Sequence, residues 1–219
     1  MKVTDIVTSI SEVLQDADQI TWTGPQVWDW IYDSELAVVL ARPDANPSTG
    51  KLTMIAGTRQ NISALPGALR ILDVIRNVGA SDEPGRAMRR VGRGVLDAYN
   101  PDWHSAAQTS IAQEYVFDDR NSKVVYVNPP NDGTGFIEVM VAQSPASYNK
   151  NDLDQVISVD DSYVPALIEW ALYRAFSRDS DVTPNWQRAQ AHRQAFFDIL
   201  GVKSNSDIAL SLKKGHQLD

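Results

Sequence analysis

Residues 160–201 carry two helical hydrophobic periods separated by one polar break that ends in proline, a pattern that a helical hairpin satisfies. Val164, Leu167, Ile168, Ala171, Leu172 and Ala175 recur at three- and four-residue steps, which puts them on one helix face. Asp160, Asp161 and Ser162 precede them as N-cap candidates, and Pro165 fits a first turn, where its missing N–H has no partner to lose. The first helix is therefore predicted to start near Tyr163. The polar SRDSDVT segment ends with Thr183 before Pro184, the pairing expected of an N-cap and a first helical residue. Trp186, Ala189, Arg193, Phe196, Phe197 and Leu200 then form a second, mixed stripe, with Gly201 read as its left-handed C-cap. Two helices joined by so short a loop are predicted to lie antiparallel.

The chain opens with a similar pair. Val3, Ile6, Val7, Ile10, Val13 and Leu14 make one helical stripe. Trp22-Thr23-Gly24-Pro25 opens a second helix with Val27, Trp28, Ile31, Leu36, Val39 and Leu40 as its apolar positions, ending before Arg42-Pro43 as the residue before proline requires. Trp22, Trp28 and Trp30 fall within nine residues; they read first as helix packing and second as an interface. PDANPSTG reads as a turn-rich linker. Beyond it the period shifts toward two, with β-like runs at Lys51 to Ala56, Asn61 to Leu65 and Ala68 to Asn77. Arg86 to Tyr99 reads as a helix with Met88, Val91, Val95 and Tyr99 on one face and Arg86, Arg89, Arg90 and Arg93 on another, although Gly92 and Gly94 weaken it. That arginine stripe invites a phosphate, but more often such a stripe is solvated or meets a neighbour's carboxylates. From Ile111 to Ala142 the pattern is a three-stranded meander: EYVFDD, a turn at Asp119 to Ser122, KVVYV, the loop NPPNDGTG, and FIEVMVA.

Composition bounds the function. With 219 residues, 43% hydrophobic and 22% charged, the chain can bury a sizeable core as one large domain or two small ones. It has no cysteine, so disulfides, thiolate zinc sites and cysteine nucleophiles are excluded together. No apolar run approaches the roughly 18–20 residues that span a bilayer, and no secretory leader pattern opens the sequence, so a cytosolic place of synthesis and no membrane partner are expected. The net charge of −8 divides into −6 for residues 1–50, +4 for 51–100, −6 for 101–160 and 0 for 161–219. That is not the basic field of a DNA-gripping protein, so any nucleic acid would pass rather than bind.

Catalytic and cofactor signals are absent. His104, His192 and His216 are far apart and never fall in an HExxH spacing. Asp118, Asp119, Asp132, Asp152 and Asp154 lack the ligand spacing and closing Glu of a calcium loop. NPPNDGTG has two prolines, no GK[ST] and no helix after it, so it is no phosphate cradle. No nucleophile elbow or kinase-like set occurs. The reading is no enzyme, no catalytic residue, no cofactor and no metal.

In order, these pieces resemble the head-to-tail adaptor, or gateway, proteins of short-tailed bacteriophages. The N-terminal helix pair is similar to that family's opening pair. MRRVGRGVLDAYNPDWHS looks like its basic helix and Pro-x-Trp element, here Pro101, Asp102 and Trp103. EYVFDDRNSKVVYVNPPNDGTGFIEVMVAQSP resembles its strand, Pro-Pro loop and closing strand. Tyr163-Val164-Pro165 followed by EWALYRAFSRDSD, and AxxHRQAFFDILG, match its hairpin. The segment from Ser48 to Gly79 aligns with no family motif.

The resemblance implies an α+β fold in which an antiparallel helical bundle (1–47 and 155–203) carries an inserted antiparallel β-domain (48–154, with a helix near 86–99). An extended C-terminal tail (204–219) would follow. It implies a non-enzymatic dodecameric ring in the virion neck, assembled in the host cytoplasm, that joins portal protein to tail nozzle protein and lets genomic double-stranded DNA through its lumen without specific binding. On that reading Ile208, Leu210, Leu212, Lys213 and Lys214 dock on the portal. Arg86, Arg89, Arg90, Arg93 and Trp186 form the contact between subunits, and Asp119, Arg120, Asn131 and Asp132 sit in nozzle-docking loops. The alternatives are another tail completion or collar protein, or a carbohydrate-binding tail module using exposed tryptophans and aspartates of the β-domain.

Overall fold

A computed structural model describes residues 1–149, 152–178 and 183–215, with residues 119, 183 and 202–215 described by their backbone alone. Among the described residues the chain is α+β, with five α-helices and two four-stranded sheets whose pairings are almost all antiparallel. It divides into two compact units, Met1–Ala45 with Pro145–Asp219, and Asn46–Ser144.

In the helical unit, α1 (Val3–Val13) buries Val3, Ile6, Val7 and Ile10, the face its periodicity predicts. The carboxylate of Asp16 accepts from the N–H groups of Ile20, Thr21 and Trp22 at 2.7–3.2 Å, and so fixes the turn into α2 (Gly24–Ala41). Pro25 occupies the first turn of α2, and the Thr23 N–H donates to Gln26 Oε1 at 3.2 Å, using a donor that the helix cannot satisfy. Asp160 accepts from the Ser162 N–H at 2.9 Å and starts a short 3-10 turn that runs into α4 (Val164–Arg178). Small Ala166, Ala171 and Ala175 on the buried face of α4 let it pack against α1, α2 and α5 (Thr183–Gly215). Trp170 meets Phe196 and Phe176 meets His192, so contacts run in opposite senses along α4 and α5.

Two expectations change here. α5 does not cap at Gly201, which lacks the positive φ that a left-handed cap requires. The helix runs on to Gly215, so residues 204–215 are helical rather than extended; 216–219 lie outside the described residues.

The β unit is a pair of sheets facing each other, ordered β1 (Pro47–Thr53), β8 (Phe136–Gln143), β3 (Ala68–Val78), β4 (Pro84–Ala87), and β2 (Gly57–Asn61), β7 (Val124–Asn131), β6 (Glu114–Phe117), β5 (Arg89–Arg90). Leu52, Ile71, Val74, Ile137, Val139 and Val141 from the first sheet meet Tyr115, Val125 and Val127 from the second. The edge strands of one sheet lead directly into the edge strands of the other: β1 turns into β2 through Met54–Ala56, and β4 into β5 through Met88. Met54 and Met88 are both buried at these corners, where a flexible apolar side chain fills an irregular gap.

This corner topology corrects several sequence expectations. β1 starts at Pro47, inside the expected linker, because it pairs along its whole length with β8. Asn61 to Leu65 is not a strand: Ile62–Ala64 form a 3-10 turn with Asn61 Oδ1 accepting from the Ser63 N–H at 2.8 Å, and the missed strand is β2. The meander is two-stranded, since β6 pairs with β7 but β8 belongs to the other sheet. NPPN is the end of β7, not a loop. There the ladder uses carbonyls, with Asn128 O accepting from Gln113 and Pro130 O from Thr109, so the missing proline N–H groups cost nothing.

The Arg86 to Tyr99 helix also fails. Backbone bonds from Met88 N–H to Ile75 O and from Val91 N–H to Tyr115 O hold residues 84–91 extended between two sheets, and only α3 (Arg93–Tyr99) remains helical, beginning after Gly92. Arg86, Arg89, Arg90 and Arg93 therefore share no helix face.

Because Gly201 sits on an exposed helix interior with nothing within 4 Å of an added Cβ, Gly201→Ala is expected to raise stability by about 0.5–1 kcal/mol. Urea denaturation measures it; a loss of stability would restore the left-handed cap.

Candidate functional site

Strand alternation in the second sheet sends Tyr115, Val125 and Val127 inward and turns Val116 and Tyr126 to the outer face, where Leu96 of α3 and Trp103 cover part of them. Trp103 is 1% exposed and anchors this cover. Its indole N–H donates to Asp97 Oδ1 at 2.9 Å, and Arg93 Nε donates to Asp97 Oδ2 at 3.3 Å. The indole N–H first, then the Arg93 charge, hold Asp97 below the usual carboxylate range against a desolvation effect. The Trp103 ring stacks on His104 at 3.7 Å between centroids, and His104 Nδ1 lies 2.8 Å from Thr58 Oγ1. His104, which has no motif around it, is thus a packing residue.

α3 is too short to cover the whole outer face. Beside it lies an open depression of about 530 Å³ lined by Arg93, Val116, Phe117, Arg120, Val124 and Tyr126. A smaller hollow of about 170 Å³ shares Arg93, Val116 and Tyr126 and reaches Trp103 and His104. Arg120 stands on the rim, with its Nε and Nη2 each 3.0 Å from the Asp118 carboxylate.

The arginines that the sequence groups together have separate roles. Arg89 pairs with Glu114, a buried carboxylate that also accepts from Tyr99 Oη and Asn128 Nδ2, each at 3.0 Å. Burial pushes Glu114 up, but these donors together outweigh it and hold it below the usual range. Arg90 lies over the Phe117 ring at 5.5 Å, Arg93 serves Asp97, and Arg86 is exposed on β4.

In the expected nozzle-docking loops, Asp119 lies in a 3-10 turn, its side chain outside the described residues. Asn131 is buried rather than presented. Its Nδ2 donates to Thr109 O at 3.0 Å and its Oδ1 accepts from Gly133 and Gly135 N–H, shaping the β7–β8 corner. Asp132 accepts from Thr134 N–H at 2.9 Å and Oγ1 at 2.7 Å.

On α5 the mixed stripe splits into two faces. Ala189, Phe196 and Leu200 are buried, while Trp186, Arg193 and Phe197, seven and four residues apart, are solvent-facing, with Trp186 55% exposed. Trp28 and Trp30 are core residues; Trp22 is half-buried against Trp30, with the Arg178 guanidinium 5.9 Å from its ring. The backbone at Ile208, Leu210, Leu212, Lys213 and Lys214 is helical, and their side chains lie outside the described residues.

Sequence reasoning missed Glu35, which sits unremarked among the apolar positions of α2. It is 0% exposed and accepts from Tyr148 Oη and from the N–H groups of Ser158 and Val159. Desolvation pushes its pKa up, opposed by those donors. No local signal marks it, because its partners are 113–124 residues away.

Among the described residues no cluster of three or more His, Asp or Glu could hold a metal ion, and no helix is long and apolar enough to cross a membrane. Trp103, the one tryptophan in residues 46–144, is buried and offers no sugar-stacking platform. The polar side chains described above therefore act chiefly as internal staples. The family model of the SU10 adaptor protein matches residues 1–212, and the chain belongs to that family of bacteriophage adaptor proteins. Membership gives it the structural role of a head-to-tail adaptor, as the resemblance implied. No curated protein matches the chain.

Two predictions follow from the staples. Arg89→Ala leaves the buried Glu114 short of its charged donor and is expected to lower the urea midpoint, whereas Arg86→Ala, on an exposed strand with no such partner, should leave the midpoint nearly unchanged. For Glu35 the folded pKa lies above the unfolded one, so the folded state binds the proton more tightly and stability falls as pH rises from the ordinary Glu range through the folded pKa. Glu35→Gln keeps an acceptor for Ser158 and Val159 and removes that titration. The variant should therefore gain stability relative to wild type between acid and neutral pH; a pH-independent difference would show that Glu35 does not titrate upward.

Proposed function

We propose that the chain forms a dodecameric ring that docks beneath the capsid portal, carries the tail nozzle and lets genomic DNA pass through its lumen. The observation that carries this reading is the family match over nearly the whole length, residues 1–212. A closed ring uses heterologous contacts, so each subunit needs two different complementary surfaces. The charge distribution suits that need. Residues 46–144 carry 10 Lys/Arg and 10 Asp/Glu, so the whole net charge of −8 resides in the helical unit. Acidic walls would also repel phosphate and let DNA slide rather than bind.

In this reading Trp186 on the exposed face of α5, with Arg86, Arg90 and Arg93, supplies the contact between subunits. Arg120 and Asp132 belong to the turns that meet the nozzle. Residues 204–219 dock on the portal through Ile208, Leu210, Leu212, Lys213 and Lys214. The helical unit acts as an antiparallel bundle that supports these contacts.

Mixing the full chain with purified portal rings and measuring mass by native mass spectrometry tests the proposal. Twelve-fold addition to the portal is expected, and deletion of residues 204–219 should abolish it. Undiminished portal binding by the truncated chain would overturn the docking role of the tail, and no binding by the full chain would overturn the ring-on-portal reading.

A further inference from the structure

Glu35 is fully buried, yet the chain that covers its carboxyl is thin. The cover is the segment that returns to the helical unit at Pro145 and leads to α4. Tyr148 and Ser158 in it are half-buried, and Ala146, Asn149, Leu153 and Val156 are exposed. Every donor on Glu35 comes from this segment: Tyr148 Oη on one carboxyl oxygen, the Ser158 and Val159 N–H groups on the other.

The two limbs of the segment are fixed unequally. Residues 155–157 are bonded to the N-terminus, with Val3 N–H donating to Gln155 O at 2.9 Å and Ile157 N–H to Met1 O at 3.2 Å. Residues 145–149 hang on the other limb, through Ala146 N–H on Ser158 Oγ at 3.0 Å and Asn149 N–H on Gln155 Oε1 at 2.6 Å. Their hold on α2 is Tyr148, whose hydroxyl meets Glu35 and whose ring stands edge-on to Trp28 and Tyr32 at 5.7 and 6.2 Å.

Among the described residues no cation reaches Glu35. Tyr148 is the titratable group in contact with it, and Tyr32 stands against the Tyr148 ring. The charges on the surrounding elements are engaged elsewhere: Lys2 with Asp154, the N-terminal ammonium with Asp161, Arg42 with Asp44, Arg174 with Asp33, and His192 with Glu169. Asp5 and Glu12 of α1 and Asp29 of α2 are exposed. A carboxylate formed at Glu35 would therefore have three hydrogen bonds and no counter-charge, and water is what would relieve it. Burial accordingly outweighs the donors and holds the Glu35 proton above the ordinary Glu range. Burial, then the nearby Glu35, push the Tyr148 phenol up as well, so it remains a donor.

We propose that residues 145–149 form a proton-controlled strap, closed over α2 while Glu35 is protonated and lifted at Tyr148 when the carboxylate forms and draws water. The strap begins one residue after the β unit ends at Ser144, so lifting it lengthens the connection between the two units. The inference does not depend on ring formation.

Amide exchange in the full, isotopically labelled chain tests this by NMR, with the Glu35 Cδ shift reporting its own protonation. A group that holds its proton more tightly in the closed state stabilises closure at low pH, and that contribution is lost as pH rises through the closed-state midpoint. Protection of the Ser158 and Val159 amides should thus fall by about tenfold per pH unit between the ordinary Glu range and the Glu35 midpoint, then level off. In Glu35→Gln it should stay level throughout. In both proteins the amide of Leu172, in the core of α4, should be more protected than that of Ser158, because lifting a strap leaves the bundle folded. A Glu35 Cδ shift that titrates in the ordinary range overturns the proposal. So does level protection of Ser158 and Val159 across the wild-type midpoint, or equal protection of Ser158 and Leu172, which would mean that only unfolding of the whole unit frees the segment. These wild-type readings decide the matter even if Glu35→Gln does not fold.

Discussion

A chain that leaves its helical unit at Ala45 and returns at Pro145 has to rejoin surfaces far apart in sequence, and the buried carboxylate of Glu35 is where it does so. Tyr148 Oη and the Ser158 and Val159 N–H groups converge on it, while Val3 N–H donates to Gln155 O and Lys2 pairs with Val156 as an isolated bridge. A charge out of water is costly unless hydrogen bonds replace its hydration, and the three donors here offset only part of that cost, so the carboxyl holds its proton more tightly than in water. Without them the returning segment would lose these anchors on α2.

The β unit rests on a different constraint. Exposed sheet edges invite wrong partners, and here the chain itself turns from one sheet into the other at both edges, through Met54–Ala56 and through Met88. This closure decides the fate of the arginines. Holding residues 84–91 extended separates Arg86, Arg89, Arg90 and Arg93, directs Arg89 to Glu114 and Arg90 to Phe117, and leaves a seven-residue helix to carry Arg93. The same shortness of α3 leaves the outer face of β6 and β7 open. Of the four arginines that sequence spacing suggested as a helical stripe, only Arg93 lines the depression there.

For a structural adaptor, this division between internal and external polar groups matters more than any reactive constellation. Glu114, Asp97, Asn131 and Glu35 are polar residues satisfied within their own unit, and they set the rigidity of what surrounds them. Arg120, Trp186 and Phe197 are exposed, and their chemistry is available to neighbours. A structural adaptor needs both: fixed scaffolds, and side chains whose bonding capacity is not used up at home.

Local chemistry alone determined the four long helices and their starts. Three- and four-residue apolar steps in α1, α2, α4 and α5, the Thr23-Gly24-Pro25 opening and the Asp160 cap act within a few residues, so they are visible in one dimension. The ordered motifs likewise carried the family. Tertiary structure decided the rest. Whether β7 pairs with β8, whether NPPN bends or runs straight, whether Arg89 lies on a helix or a strand, and where Glu35 finds its donors all depend on backbone partners distant in sequence. Gly201 is the same lesson in one residue: glycine permits a left-handed cap, but permission is not a conformation, and the helix that continues to Gly215 uses it as an ordinary turn.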